Sequence, residues 1–176
     1  MANYELDHIL LSAEDIQKKV VEIGAKMQQD YQGEPLIFIV VLKGAFVFAA
    51  DLIRTLEGDI TIDFVVASSY GNQTESTGKV RLLKDIDVNI TGKNVVLVED
   101  IVDSGLTLHF LKKHFLLHKP KSIKICTLLD KPERRKVDLK ADYSGFMIPD
   151  KFIVGYGIDY AEQYRYLPYI ATVKEV

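Results

Sequence analysis

Three carboxylates and a Ser-Gly-Leu-Thr turn follow one short apolar run in this chain. The stretch VVLVEDIVDSGLT spans residues 95–107, with Glu99 and Asp100 directly after the apolar run and Asp103 directly before the turn. Backbone amides and hydroxyls at the start of a helix bind anions such as phosphate, and the helix dipole favours this binding. Carboxylates accept hydrogen bonds from sugar hydroxyls and bind Mg²⁺. The stretch therefore predicts a sugar phosphate site.

A simpler interpretation of the turn is purely structural. Asp103 or Ser104 could serve only as a helix N-cap, with Gly105 allowing a tight turn. For an isolated Asp-Ser-Gly string this interpretation is the more common one. The two acids immediately upstream favour the phosphate site here.

Several apolar runs predict the elements that position this stretch. Continuous runs at residues 35–42 and 94–100 are typical of strands buried on both faces, and residues 60–70 and 122–131 predict two more strands. Helical periodicity begins after Ser12, after Lys43-Gly44 and after the Ser-Gly-Leu-Thr turn. Strands that alternate with helices predict an α/β, doubly wound, mainly parallel sheet.

Three predicted strands end in polar residues. These ends are Lys43-Gly44, Glu99-Asp100 and Asp130-Lys131. Ligands of open parallel sheets bind beyond the carboxyl ends of the strands. We therefore expect all three pairs at one edge of the sheet, around one site.

Composition limits the possible classes of protein. The chain has 176 residues, 48% of them hydrophobic, which predicts a single domain over residues 1–176. A net charge of −3 argues against a basic surface for nucleic acid or an anionic membrane. Cys126 is the only cysteine, and no apolar run approaches the length of a membrane span, so we expect a cytoplasmic protein.

Residues 95–107 resemble the phosphoribosyl pyrophosphate motif of the type I phosphoribosyltransferases. Four further segments resemble, in the same order, other signatures of the hypoxanthine-guanine branch: VLKG at 41–44, SSYG at 68–71, LLDK at 128–131 and IPDKFIVGYGIDYAEQYR at 148–165. The resemblance covers nearly the whole chain. It implies the type I phosphoribosyltransferase fold, with a small hood from N- and C-terminal segments, and a homodimer or homotetramer.

The resemblance assigns roles on the phosphoribosyl side. The 5′-phosphate would be bound by Ser104, Gly105, Leu106 and Thr107. Glu99 and Asp100 would bind the ribose hydroxyls and, with Asp159, the cofactor Mg²⁺. Arg165 and the Lys43-Gly44 turn would bind pyrophosphate, and the peptide before Lys43 can be cis in the family. Leu106 is a departure, because some family members carry lysine there.

It also assigns the purine side. Asp103 would lie near N7 of the base as general acid/base, Lys131 would donate to the 6-oxo group, and Phe152 would stack on the ring. Ile153 would offer main-chain contacts, with Asp159 close by. Because lysine donates but cannot accept hydrogen bonds, Lys131 should favour 6-oxopurines over adenine.

The implied enzyme is a purine salvage phosphoribosyltransferase. It would transfer the 5-phosphoribosyl group from phosphoribosyl pyrophosphate to N9 of hypoxanthine or guanine, giving IMP or GMP. Since water would destroy the activated sugar, a lid is needed. We place it at residues 69–79, with Ser69 and Tyr70 at its stem.

A nucleotide-sensing regulator that binds RNA or DNA is the competing hypothesis. It should carry a basic face or an added nucleic-acid-binding domain, and this acidic chain shows neither. His114 and His118 have a spacing that could bind a metal, but a solvated helix face is the preferred interpretation. We therefore favour the enzyme.

Overall fold

The structure, a computed structural model, describes residues 4–70 and 79–175. The described strands are β1 (Tyr4–Leu11), β2 (Leu36–Leu42), β3 (Ile60–Tyr70), β4 (Lys79–Lys84), β5 (Asn94–Val102), β6 (Ser122–Asp130), β7 (Tyr143–Met147), β8 (Ile153–Val154) and β9 (Ile170–Glu175). The helices are α1 (Ala13–Tyr31), α2 (Phe46–Ile53) and α3 (Leu106–Leu116), with a 3₁₀ turn at Pro132–Arg134.

The central sheet has the strand order β4-β3-β2-β5-β6-β7. All neighbouring strands in it are parallel except β3 and β4, which are antiparallel. The predicted α/β, mainly parallel sheet is therefore confirmed. Its central strands β2 and β5 are continuous apolar runs because helices cover both of their faces.

A second, three-stranded sheet has the order β1-β9-β8 and is antiparallel. It joins the N-terminal strand to the last strands of the chain, as expected for the hood. Sequence patterns alone did not predict β1, although they predicted short strands in the regions of β8 and β9. The hood matters for the site because it contains β8, which fixes the main chain at Ile153, directly after Phe152.

Two apolar cores flank the central sheet. The larger one packs α1 and α2 against one face, with Val20, Met27 and Phe48 completely buried. The smaller one packs α3 against the other face through Leu111 and Phe115. Helix α1 begins at the predicted cap, where Ser12 Oγ accepts a hydrogen bond from the Asp15 amide at 3.1 Å.

Element ends differ modestly from the sequence predictions. Helix α2 begins at Phe46 and ends at Ile53, before the end of the helical pattern. Strand β5 continues to Val102, beyond the acid pair, so both acids lie on a strand. Among the described helices, none has the length and apolar character needed to cross a bilayer.

Candidate active site

The polar ends of the strands meet at one edge of the sheet, as expected from the parallel topology. Val102 at the end of β5 is in register with Asp130 at the end of β6, and the Lys131 amide donates to Val102 O at 2.9 Å. Gly44, after β2, lies so close to Asp100 that an added Cβ would be 1.7 Å from Asp100 Oδ2. Only glycine permits this approach of the backbone to the carboxylate.

The turn after β5 has the shape of an anion site. Gly105 is the residue before α3 and has φ +80°, and no side chain caps the helix. The amide of Leu106 donates instead to Ser104 Oγ at 3.4 Å. A small cavity of about 90 Å³ lies here, lined by residues that include Glu99, Ser104 and Thr107. Apart from this one long hydrogen bond to Ser104, no side-chain cap of the α3 start is present among the described residues, so the turn suits an anion.

Both carboxyl groups of the acid pair have raised pKa values. Glu99 and Asp100 are half-buried. Burial and the neighbouring Asp100 carboxylate raise the pKa of Glu99 well above its usual range, and burial also raises the pKa of Asp100. The positive charge of Arg165 acts in the opposite direction and lowers the pKa of Asp100, but Arg165 forms its ion pair with Asp159 and not with Asp100. Because neither acid forms an ion pair among the described residues, the two carboxylates suit the binding of a divalent cation.

The donor set is incomplete for a metal held by protein alone. Among the described residues, no group of three or more His, Cys, Asp and Glu side chains is arranged to hold an ion. Mg²⁺ is usually bound by one or two carboxylates, with the remaining positions taken by water and substrate phosphates. Glu99 and Asp100 fit that arrangement. Asp159, the third predicted ligand, instead accepts from the Glu162 amide at 2.7 Å and pairs with Arg165 at 2.8 Å.

Two basic side chains converge on Glu162. Lys43 Nζ lies 2.8 Å from Glu162 Oε1, and Arg165 Nη2 lies 3.3 Å from Glu162 Oε2. The peptide bond between Leu42 and Lys43 is cis. The resemblance implies that Lys43 and Arg165 bind pyrophosphate, but nothing in the sequence identifies Glu162. Glu162 is distant from Lys43 in the chain, so no local pattern indicates their contact.

Lys131 and its neighbours form the other side of the site. Lys131 is 7% exposed, and its Nζ donates to the carbonyl of Lys151 at 2.7 Å. The ring of Phe152 is 61% exposed and meets Tyr160 edge-on, at 6.1 Å between ring centroids. Ile153 is buried in β8 and pairs with Thr172 of β9. The Lys131 donor therefore contacts the backbone of Lys151, the residue directly before the exposed ring of Phe152.

Arginine side chains hold Asp103 on two sides. Its carboxylate Oδ1 lies 2.7 Å from Arg134 Nε, and its carbonyl accepts from Arg135 Nη1 at 2.9 Å. Arg135 also pairs with Asp130 at the end of β6. Sequence patterns alone do not single out these arginines, because basic residues alternating with acids are typical of a solvated surface.

The stem of the predicted lid is partly described. Backbone pairing places Ser69 opposite Val80 and Tyr70 opposite Lys79, where β3 and β4 end together. Residues 71–78, which make up most of that predicted lid, lie outside the described residues.

The fold and this edge of the sheet define a class of protein. A profile described as the phosphoribosyl transferase domain matches residues 9–161, and the chain belongs to the phosphoribosyltransferase family. Within the family, the relatives it resembles are hypoxanthine-guanine phosphoribosyltransferases. The enzyme of that name from Bacillus subtilis is 51% identical over 174 residues, which cover 99% of this chain and 97% of the relative.

Solved structures agree with the sequence comparison. A hypoxanthine-guanine phosphoribosyltransferase from Bacillus anthracis superposes with a TM-score of 0.92 at 66% identity, covering 98% of this chain and 99% of that one. The hypoxanthine phosphoribosyltransferase of Trypanosoma cruzi gives a TM-score of 0.90 at 40% identity, covering 96% and 92%. That structure concerns the role of the C-terminal region in the oligomeric state and enzymatic activity of the Trypanosoma cruzi enzyme.

Proposed function

We propose that this protein transfers the 5-phosphoribosyl group from phosphoribosyl pyrophosphate to N9 of hypoxanthine or guanine. The products are IMP or GMP and pyrophosphate, the reaction is part of purine salvage, and Mg²⁺ is the cofactor. The observation that carries the proposal is the meeting of a glycine turn at a helix start, an acid pair and a buried lysine at one edge of the sheet.

The phosphoribosyl group would lie along the turn after β5. Ser104, Gly105, Leu106 and Thr107 present amides and hydroxyls to the 5′-phosphate at the start of α3. Glu99 and Asp100 accept hydrogen bonds from the ribose hydroxyls. Mg²⁺, when bound, would neutralise the acid pair and the departing pyrophosphate. The absence of a lysine at Leu106 leaves the main-chain part of the phosphate site intact.

Pyrophosphate would exchange with a protein carboxylate. Lys43 and Arg165 both contact Glu162 in the free protein, so the two cations are already assembled around an anion. Pyrophosphate carries more charge than one carboxylate and therefore competes well for them. Asp159 pairs with Arg165 in the structure, and once pyrophosphate pairs with Arg165 the Asp159 carboxylate would be available to Mg²⁺.

The purine would lie between Lys131 and Phe152. Lys131 exchanges its bond with the Lys151 carbonyl for one with the 6-oxo group, and adenine offers no acceptor there. Phe152 stacks on the ring, and the main chain at Ile153 contacts its edge. Asp103 exchanges a proton with N7 as the bond to N9 forms. The purine specificity therefore depends on Lys131.

Four further properties belong to this proposal. The chain acts as one domain over residues 1–176, assembles as a homodimer or homotetramer and works in the cytoplasm on small molecules, without nucleic acid or membrane partners. Residues 69–79 close over the site as a lid that starts at Ser69 and Tyr70.

A rate assay tests the proposal. Purified protein is given phosphoribosyl pyrophosphate, with and without Mg²⁺, and hypoxanthine, guanine, xanthine or adenine separately. Mg²⁺-dependent conversion of hypoxanthine and guanine, with adenine left unchanged, is the expected result. Binding of nucleotide without turnover of any base would contradict the enzyme and would favour the regulator.

A further inference from the structure

Arg134 lies between the two sides of the site. Its Nε is 2.7 Å from Asp103 Oδ1, and its Nη1 is 3.2 Å from Asp150 Oδ1 and 3.3 Å from Asp150 Oδ2. The Arg134 guanidinium therefore contacts two carboxylates. Asp103 lies on the proposed phosphoribosyl side, and Asp150 lies next to the proposed purine-binding segment. Asp150 Oδ1 is in turn 3.6 Å from Lys131 Nζ.

The backbone around Arg134 is fixed to the strand ends. The Arg134 amide donates to Lys131 O at 3.1 Å, which closes the 3₁₀ turn. The Lys131 amide donates to Val102 O, and the Lys136 amide donates to Ser104 O, both at 2.9 Å. Hydrogen bonds on both flanks thus join this turn to the loop that carries Asp103. The backbone of this turn is therefore fixed beside the Asp103 loop, and the Arg134 side chain extends from it to the two carboxylates.

Asp103 depends on this contact for its orientation. Within the described residues, its carboxylate forms an ion pair with Arg134 and with no other basic side chain. An aspartate side chain without such a partner can rotate about two bonds. A proton-transfer group must instead lie within hydrogen-bond reach of the atom that it serves. The contact is a close charge pair and not a hydrogen bond, because Asp103 Oδ1 is buried and accepts no hydrogen bond from the described residues, so Arg134 restrains the carboxylate through its charge.

Stability is a poor explanation for these ion pairs. The side chains of Arg134, Asp103 and Asp150 are 49%, 43% and 45% exposed. Ion pairs exposed to this extent contribute little to folding, because water and salt screen them. Asp150 and Asp103 together raise the pKa of Arg134, so the guanidinium keeps its charge throughout the reaction.

We propose that Arg134 is a positioning residue for the transfer reaction, held by Asp150 and orienting the Asp103 carboxylate toward the purine. The proton moves only between Asp103 and N7 of the base, and Arg134 neither gives nor takes one. This inference rests on the proposed function, since it assumes that Asp103 handles that proton.

Three single variants test the role. Arg134→Gln removes the charge, Arg134→Lys retains it without the planar fork, and Glu133→Gln is the matched control, since Glu133 is exposed on the same 3₁₀ turn. We expect Arg134→Gln to lower kcat about tenfold or more, as misplaced catalytic groups do, with KM for phosphoribosyl pyrophosphate changed by about twofold at most. Arg134→Lys should be intermediate, and Glu133→Gln should match the parent protein.

A double variant separates positioning from a general loss of structure. If Arg134 acts through Asp103, adding Arg134→Gln to Asp103→Asn should lower kcat by no more than about twofold further. Thermal melting of every variant verifies that it is folded. A kcat unchanged by Arg134→Gln, or losses that multiply in the double variant, would overturn the inference.

The outcome for the parent protein distinguishes the two proposals. A folded parent that converts none of the bases overturns the proposed function, and this inference with it. An active parent whose Arg134→Gln variant is equally active overturns this inference alone.

Discussion

Charged side chains gather at both ends of the parallel strands, but their surroundings differ. At the amino end, the Tyr143 hydroxyl donates to Asp30 Oδ2 at 2.7 Å, and Lys124 Nζ lies 3.3 Å from the same oxygen. At the carboxyl end, Glu99 and Asp100 adjoin each other without an ion-pair partner among the described residues. Ion pairs occur at both edges, but only the carboxyl edge also contains an acid pair that has no ion-pair partner among the described residues.

The pKa directions express the same difference. Hydrogen bonding from Tyr143 lowers the pKa of Asp30, so ionisation of Asp30 is favoured in the folded protein. Burial raises the pKa of Glu99, so its ionisation is disfavoured there. Ionised Asp30 therefore stabilises the fold, whereas ionised Glu99 opposes it. The buried acid pair of the carboxyl edge therefore lowers stability while it favours the binding of a ligand.

The largest expected effect is that of Asp103→Asn at the carboxyl edge. The substitution keeps the shape of the side chain but removes its ability to exchange a proton, so kcat should fall about 100-fold or more. Binding of GMP and the melting temperature should stay close to those of the parent protein. Steady-state kinetics and nucleotide titration measure both properties, with the exposed Asp138→Asn as control. Undiminished turnover would remove Asp103 from the mechanism.

Lys131→Ala tests specificity at the same edge. Loss of the donor should reduce the ratio of kcat/KM for hypoxanthine over adenine by about tenfold or more, because the pocket no longer selects the 6-oxo group. Competition kinetics with the two bases measures the ratio, and the exposed Lys136→Ala serves as the control. A ratio that stays constant would show that another group selects the base.

Tyr143→Phe tests the opposite edge, where stability should change and activity should not. Tyr143 is 2% exposed, and its hydroxyl contacts both Asp30 and Lys124. Removing it should lower the free energy of unfolding by about 1 kcal/mol. Urea unfolding and an activity assay of the same preparation measure the two properties. A loss of kcat without a loss of stability would contradict the division between the edges.

The smallest expected effect is that of Asp30→Asn, and it depends on pH. Because the folded pKa of Asp30 is lowered, its carboxylate stabilises the fold above the ordinary aspartate pKa of about 3.9 and loses that effect as the pH falls through the folded value. Asp30 is about one third exposed, so the variant should lose only about 0.5 kcal/mol at pH 7. The unfolding curves of the variant and of the parent protein should differ at neutral pH and coincide at acidic pH. Equal losses at both pH values would exclude an electrostatic cause.

The sequence predicts the central elements well for a physical reason. Buried parallel strands such as β2 and β5 are continuous apolar runs, and amphipathic α1 carries its own cap. Strand β1 gives no comparable signal, because most of its side chains are exposed and it is stabilised by pairing with distant β9. Local patterns cannot detect a strand of that kind.

The site shows the same limit. The acid pair and the turn at Gly105 lie within one short stretch, so a motif identifies them. Arg134 and Glu162 gain their importance from contacts with Asp103 and Lys43, which are distant in the chain. Their charge pattern alone is typical of a solvated surface, and contacts between segments distant in the chain bring these pairs together, in the case of Arg134 through the register of β5 and β6.

The small antiparallel sheet has a consequence for synthesis of the chain. Strand β8 pairs with β9, and β9 pairs with β1, so the strand that follows Phe152 is secured by a strand that leaves the ribosome after it. A nascent chain can complete its parallel sheet and its phosphate turn earlier, since both precede residue 148. The segment around Phe152, the proposed purine side, would then be secured only after the turn at Gly105 has formed, so a chain that still lacks β9 would bind a sugar phosphate before it could hold a base.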